Sequence, residues 1–86
     1  MRLDKYLKLT RIIKRRQVSK EIIENDRVEI NGKQTKPATM VKVGDHIRLS
    51  FARTIVEVEV LEIDEKIIKK APDGAYKIVT EEGNET

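Results

Sequence analysis

The sequence predicts an α+β domain: two N-terminal helices packed on a small, mostly antiparallel sheet with a β extension. Three observations carry this expectation. Apolar residues recur at helical spacing up to Asn25, the period changes to two from Arg27, and Asn31-Gly32 separates two strand-like runs. The chain has 86 residues, 38% of them apolar, which is enough for one compact core but not for two domains or an enclosed active-site cavity.

Residues 2–13 are expected to form the first helix. At about 100° per residue, Leu3, Tyr6, Leu7 and Thr10 share one face, with Leu9 at its margin. Lys5, Lys8 and Arg11 lie opposite, with Arg2 at the edge of that arc. Lys14-Arg15-Arg16 leads into a second helix over about 16–25, with Val18, Ile22 and Ile23 on its apolar side. Asn25-Asp26 is expected to end it, because both residues tolerate left-handed backbone.

Val28 and Ile30 then alternate with Arg27 and Glu29, and Asn31-Gly32 supplies the two positive-φ positions of a type I′ turn. A short strand near Gln34–Lys36 stops at Pro37, and Gly44-Asp45 forms another turn. Ile47, Leu49 and Phe51 alternate with polar residues in one strand. Val56, Val58 and Val60 do so in the next, which is expected to run on towards Ile63. Residues 1–63 are thus expected to form the main domain. Residues 64–86 form an extension and partly flexible acidic tail: 64–66 and 69–74 loop-like, 75–79 a short strand or helical turn, and 81–86 frayed.

The formal charge of +3 conceals a polarity. Residues 1–43 carry 12 Lys/Arg against 5 Asp/Glu, and residues 44–86 carry 6 against 10. Asp4 is the only acid among the first 20 residues; it suits a helix N-terminus and is placed to brace a neighbouring Arg. A solvated helix face normally mixes signs, so the one-signed wet face of the first helix points to a polyanion. With only Tyr6, Phe51 and Tyr76 aromatic, stacking platforms for single-strand reading are missing. A rigid pair of basic helices suits the phosphates of structured RNA. A DNA-binding helix-turn-helix remains open, although a hairpin stands where a third helix is usual. A protein-interaction module using a sheet edge or the acidic 57–65 and 81–85 segments also remains open.

Catalytic chemistry has little inventory. His46 is the single histidine, expected on the solvent face of a strand, and no Gly-rich phosphate loop or serine motif accompanies it. Glu57, Glu59 and Glu62 lack partners for a metal site, so no metal and no cofactor is expected. Arg2-Leu3-Asp4 matches the catalytic tripeptide of pseudouridine synthases, but that motif belongs to a large domain for which there is no room here. Without cysteines there is no disulfide or thiolate. No apolar run is long enough for a signal h-region or a membrane span, so a cytoplasmic protein with no membrane partner is expected.

Several segments in order carry a more specific likeness: Arg2-Leu3-Asp4-Lys5-Tyr6-Leu7, the basic junction, Arg27-Val28-Glu29-Ile30-Asn31-Gly32-Lys33, Lys36-Pro37 and Val43-Gly44-Asp45-His46-Ile47. Over residues 2–50 the chain resembles the αL RNA-binding motif, or S-four domain. It departs from the pattern at Asp26, where Gly is usual, and at Lys14-Arg15-Arg16, where many members carry a capping Ser. The resemblance implies RNA contacts by Arg2, Lys5, Arg15 and Arg16, with a wider phosphate footprint from Lys8, Arg11, Lys14 and Lys20. Asn31 and Lys33 would reach RNA from the hairpin, although Asn31 is as well explained as a turn residue.

Length, the Lys-Arg-Arg junction and Tyr76 resemble the stand-alone members that act in ribosome-associated quality control. A monomer is expected, and that likeness implies binding to rRNA and tRNA on large ribosomal subunits obstructed by peptidyl-tRNA. It also implies support for alanine tailing with an RqcH-type elongation partner. The ribosome-recycling heat-shock S-four proteins, or a general structured-RNA adaptor, are the alternatives.

Overall fold

The structure, a computed structural model, describes residues 1–13, 21–51 and 54–83. Helix α1 (Leu3–Leu9) is followed by α2, of which residues 21–24 are described, and then by strands β1 (Val28–Ile30), β2 (Lys33–Gln34), β3 (His46–Ser50) and β4 (Thr54–Val60). Helix α3 (Glu65–Lys70), a 3-10 turn at Pro72–Ala75 and strand β5 (Tyr76–Gly83) complete the chain. The strands form one sheet in the order β2-β1-β3-β4-β5, with every pairing antiparallel.

The helical period reads correctly on α1: Leu3, Tyr6, Leu7 and Thr10 are all buried. The helix is shorter than the expected 2–13, and its end has a local cause. Thr10 turns its hydroxyl back onto the carbonyls of Tyr6 (2.7 Å) and Leu7 (3.3 Å), competing with continued helix. Arg11 then adopts φ +60° and donates its N–H to Lys8 O. Arg11 therefore belongs to the cap of α1 and not to its basic face.

The end of α2 falls where Asn25-Asp26 predicts it. Asp26 sits at φ +58°, its N–H reaches Ile23 O, and the N–H of Arg27 reaches Ile22 O. These two bonds form a Schellman cap with an aspartate in the left-handed position. The remainder of the expected second helix, including its basic junction, lies outside the described residues.

The hairpin also forms as expected, with Asn31 at φ +52° and Gly32 at φ +81° joining Ile30 to Lys33. β2 covers Lys33–Gln34 rather than the expected 34–36. Thr35 is buried and donates to Val28 O at 2.8 Å, so the chain leaves the edge of the sheet there. β3 buries Ile47 and Leu49 but ends at Ser50, leaving Phe51 exposed. β4 stops at Val60 and not near Ile63, because the N–H groups of Leu61 and Glu62 turn to the Ala75 carbonyl.

The largest departures are in the extension. Residues 65–70, expected to be largely loop, form a helix whose N-cap Asp64 accepts N–H bonds from Lys66 and Ile67. Glu65 in its first turn and Lys69 and Lys70 in its last match the helix dipole. β5 runs to Gly83, paired along β4 with a bulge at Glu57/Val58, so residues 81–83 are strand rather than tail. Six residues do not make a stable helix alone. Ile68, fully buried in the core with Leu3, Tyr6, Leu7, Val58 and Val60, holds α3 in place. Such burial contributes about 1.5–3 kcal/mol. Tyr6 adds a bond from its hydroxyl to Ala75 O at 2.7 Å, tying α1 to the 3-10 turn.

Candidate nucleic-acid interface

The start of α1 is positioned by the loop before β3. The N-cap residue, Arg2, makes no side-chain capping bond. Instead the N–H groups of Leu3 and Asp4 donate to Thr39 O and Pro37 O, and the backbone of Arg2 bridges to Met40. Asp4 is fully buried beneath this end: Oδ1 accepts the N–H of Lys5 at 2.8 Å, and Oδ2 meets a guanidinium nitrogen of Arg2 at 3.2 Å. A buried carboxylate needs such partners. It braces Arg2, as the sequence anticipates, while leaving that side chain about half exposed.

Arg2, Lys5 and Lys8 project from one flank of α1 and line an open depression of about 450 Å³. Leu9 also lines it, and its other side comes from α3 in the form of Glu65 and Lys69. Lys5 forms an ion pair with Glu65. The hydrogen bond from Lys5, aided by the charges of Lys5 and Lys69, outweighs desolvation and holds the Glu65 carboxyl below its usual range. The depression thus carries cations on both walls, with one carboxylate among them. Such a surface attracts phosphate oxygens by charge without reading base edges.

Of the other expected site residues, Arg11 is exposed at the end of α1 and does not line this depression. Lys14, Arg15, Arg16 and Lys20 lie outside the described residues. Asn31 and Lys33 line another, smaller hollow of about 300 Å³ with Met40, Lys42 and Asp45. Both ends of the Asn31 amide are engaged within the fold: the nitrogen donates to Asp45 Oδ1 at 3.2 Å and the oxygen accepts the N–H of His46 at 3.0 Å. This supports the turn-residue account of Asn31.

Sequence reasoning missed Lys69 and Lys42. Lys42 stands one residue beyond buried Val41 and belongs to no periodic run. For Lys69 a signal existed: Asp64 as N-cap, Glu65 and Lys69 four apart and Ile68 between them spell a short amphipathic helix. Its arrival beside α1, however, is a tertiary event.

His46 sits on the polar face of the sheet, with Nδ1 3.2 Å from Glu57 and Nε2 3.7 Å from Glu59. Among the described residues no three His, Cys, Asp or Glu side chains are grouped to hold a metal, and no helix is long and apolar enough to cross a membrane.

Comparison with known proteins agrees with this geometry. The S4 domain matches residues 1–47. The chain is 43% identical to the RQC P-site tRNA stabilizing factor of Streptococcus pneumoniae, over 94% of this chain and 92% of that protein. The factor of the same name from Bacillus subtilis is 42% identical over 95% of both chains. Among solved structures, trimeric Vibrio cholerae heat shock protein 15 superposes with a TM-score of 0.81 at 25% identity, covering 92% of this chain and 81% of that one. An S4 signature at the N-terminus and relatives matched almost end to end place the chain in one group: it belongs to the S4 domain family, among the RQC P-site tRNA stabilizing factors.

Proposed function

We propose that this chain is a non-catalytic, cytoplasmic RNA-binding protein of ribosome-associated quality control. It binds as a monomer to large ribosomal subunits obstructed by peptidyl-tRNA, contacts both rRNA and the tRNA, and supports alanine tailing by an RqcH-type elongation partner. The observation that carries this reading is the cationic depression of Arg2, Lys5, Lys8 and Lys69, in a chain whose near relatives are named for P-site tRNA stabilization.

In this reading Arg2, Lys5, Arg15 and Arg16 are the principal phosphate contacts. Lys8, Arg11, Lys14, Lys20 and Lys33 widen the footprint, and Asn31 holds the hairpin that presents Lys33. Arg2 is preorganised: Asp4 fixes its guanidinium, so less side-chain entropy is lost when RNA binds. A protein held this way stabilises tRNA by charge neutralisation and shape, with no bond made or broken.

Five to seven neutralised phosphates would make log affinity fall against log salt with a slope of roughly −4 to −6. Co-sedimentation with purified large subunits, with and without peptidyl-tRNA, tests the reading. Wild type is expected to prefer obstructed subunits, R2A/R16A to lose association, and R16A alone to weaken it while keeping its fold. Unchanged co-sedimentation of R2A/R16A would remove the proposed contact surface. Equal binding to vacant subunits would favour the second reading, the ribosome-recycling role of the heat-shock S-four proteins, which the superposition on heat shock protein 15 supports.

A further inference from the structure

We infer that α3, which lies outside the residues matched by the S4 domain, forms the second wall of the RNA site. There Lys69 is an additional phosphate contact, and Glu65 is an internal counter-anion that an RNA phosphate displaces from Lys5. This rests on the RNA-binding reading above and specifies how that site is completed and restrained.

Three observations carry it. Arg2, Lys5 and Lys8 of α1 and Lys69 of α3 face one depression, although Lys5 and Lys69 are 64 positions apart in sequence. Among the described residues Glu65 is the one carboxylate lining that depression, and it is paired with Lys5. The pair is also exposed, with 46% of the Lys5 side chain and 38% of that of Glu65 accessible to solvent. Pairs this wet add little to stability. Ile68 and the Tyr6–Ala75 bond already dock the extension against α1, so the fold does not depend on the pair.

Glu65 occupies the position that a phosphate oxygen would take at Lys5. It lowers the positive potential of the unbound site and must yield, or share the ammonium, when RNA enters. An anion bound without that exchange faces one more free cation and one fewer like charge. Removing the Glu65 charge is therefore expected to tighten RNA binding, the reverse of what removing a contact residue does.

Fluorescence anisotropy of labelled total tRNA, over a range of salt concentrations, tests this with the full-length protein. E65Q keeps the size and shape of the side chain and is expected to bind about two- to fivefold tighter at low salt, the range spanned by exposed ion pairs. The gain is expected to be smaller in a K5Q background, where only the loss of the like charge remains. K69A is expected to weaken binding and reduce the magnitude of the salt slope by about 0.7–0.9, one phosphate's share. K70A, on the same helix but away from the depression, is expected to leave the slope unchanged. Thermal melts establish that each variant is folded.

E65Q binding no tighter than wild type, or K69A retaining the full slope, would overturn the inference while salt-dependent binding by wild type left the RNA reading standing. Absence of salt-dependent binding by wild type would overturn both.

Discussion

Tyr6→Phe isolates the bond on which the geometry of the two-walled site depends. The Tyr6 hydroxyl is fully buried and donates to Ala75 O at 2.7 Å, linking α1 to the turn that follows α3. Phenylalanine fills the same space, so no cavity opens. The cost then depends on whether Ala75 O is left without a partner, which would amount to about 1–3 kcal/mol. It is not, because the same carbonyl accepts the N–H groups of Leu61 (2.9 Å) and Glu62 (3.2 Å). The smaller figure for a net hydrogen bond applies, about 1 kcal/mol. For a domain of this size that lowers Tm by about 4–8 °C.

The pH dependence gives a second, independent signature. Burial, and behind it the neighbouring Tyr76, pushes the Tyr6 phenol far above its ordinary value of 10.0. Its contribution is therefore complete below pH 10 and declines as pH rises towards the folded value. In that window the unfolded chain releases the proton and the folded one does not. The loss is about 1.4 kcal/mol per pH unit from this residue alone. Y6F lacks this liability. Urea unfolding followed by circular dichroism is expected to show wild type ahead by about 1 kcal/mol at pH 7, the two converging near pH 11, and the variant ahead by pH 12. Parallel curves from pH 7 to 12, or a variant as stable as wild type at pH 7, would refute the reasoning.

Two further substitutions probe the backbone positions that set up the site. At Asp26, with φ +58°, glycine relieves the left-handed strain at a cost in unfolded-chain entropy. D26G is expected to exceed D26A in stability by about 1 kcal/mol, with native Asp between them; denaturant midpoints giving the reverse order would contradict the assigned cap. N31A removes two side-chain bonds and the tolerance of φ +52°, and is expected to cost about 1–3 kcal/mol in chemical denaturation. Its affinity for tRNA, corrected for folded fraction, is expected to match wild type. Undiminished stability with lost binding would return Asn31 to the RNA surface.

Much of the fold was legible because it is written in local periods. The buried face of Leu3, Tyr6, Leu7 and Thr10 follows from 3.6 residues per turn, and Val58 and Val60 follow from alternation. Asn31-Gly32 and Asp26 marked backbone that must go left-handed, and it does. The early stop of α1 was less legible, because a Thr10 hydroxyl can serve a helix or end it. Helix α3 was overlooked for a different reason: six residues are too few to hold a helix on propensity alone, and the burial of Ile68 is what fixes them as one.

The division in the site follows the same line. Sequence alone determined that the N-terminal half is cationic, that Lys5 and Lys8 ride on a helix whose opposite face is apolar, and that Asp4 stands beside Arg2. Those are properties of spacing along one chain segment. Only tertiary structure decided that Lys69 and Glu65 complete the depression, that Arg11 leaves it, and that Asn31 is engaged by Asp45 and His46. The physical reason is that charge and period are local, whereas a phosphate-sized site is assembled by core burial. Ile68 and the Tyr6 hydroxyl bring α3 to α1, and no window of sequence contains both.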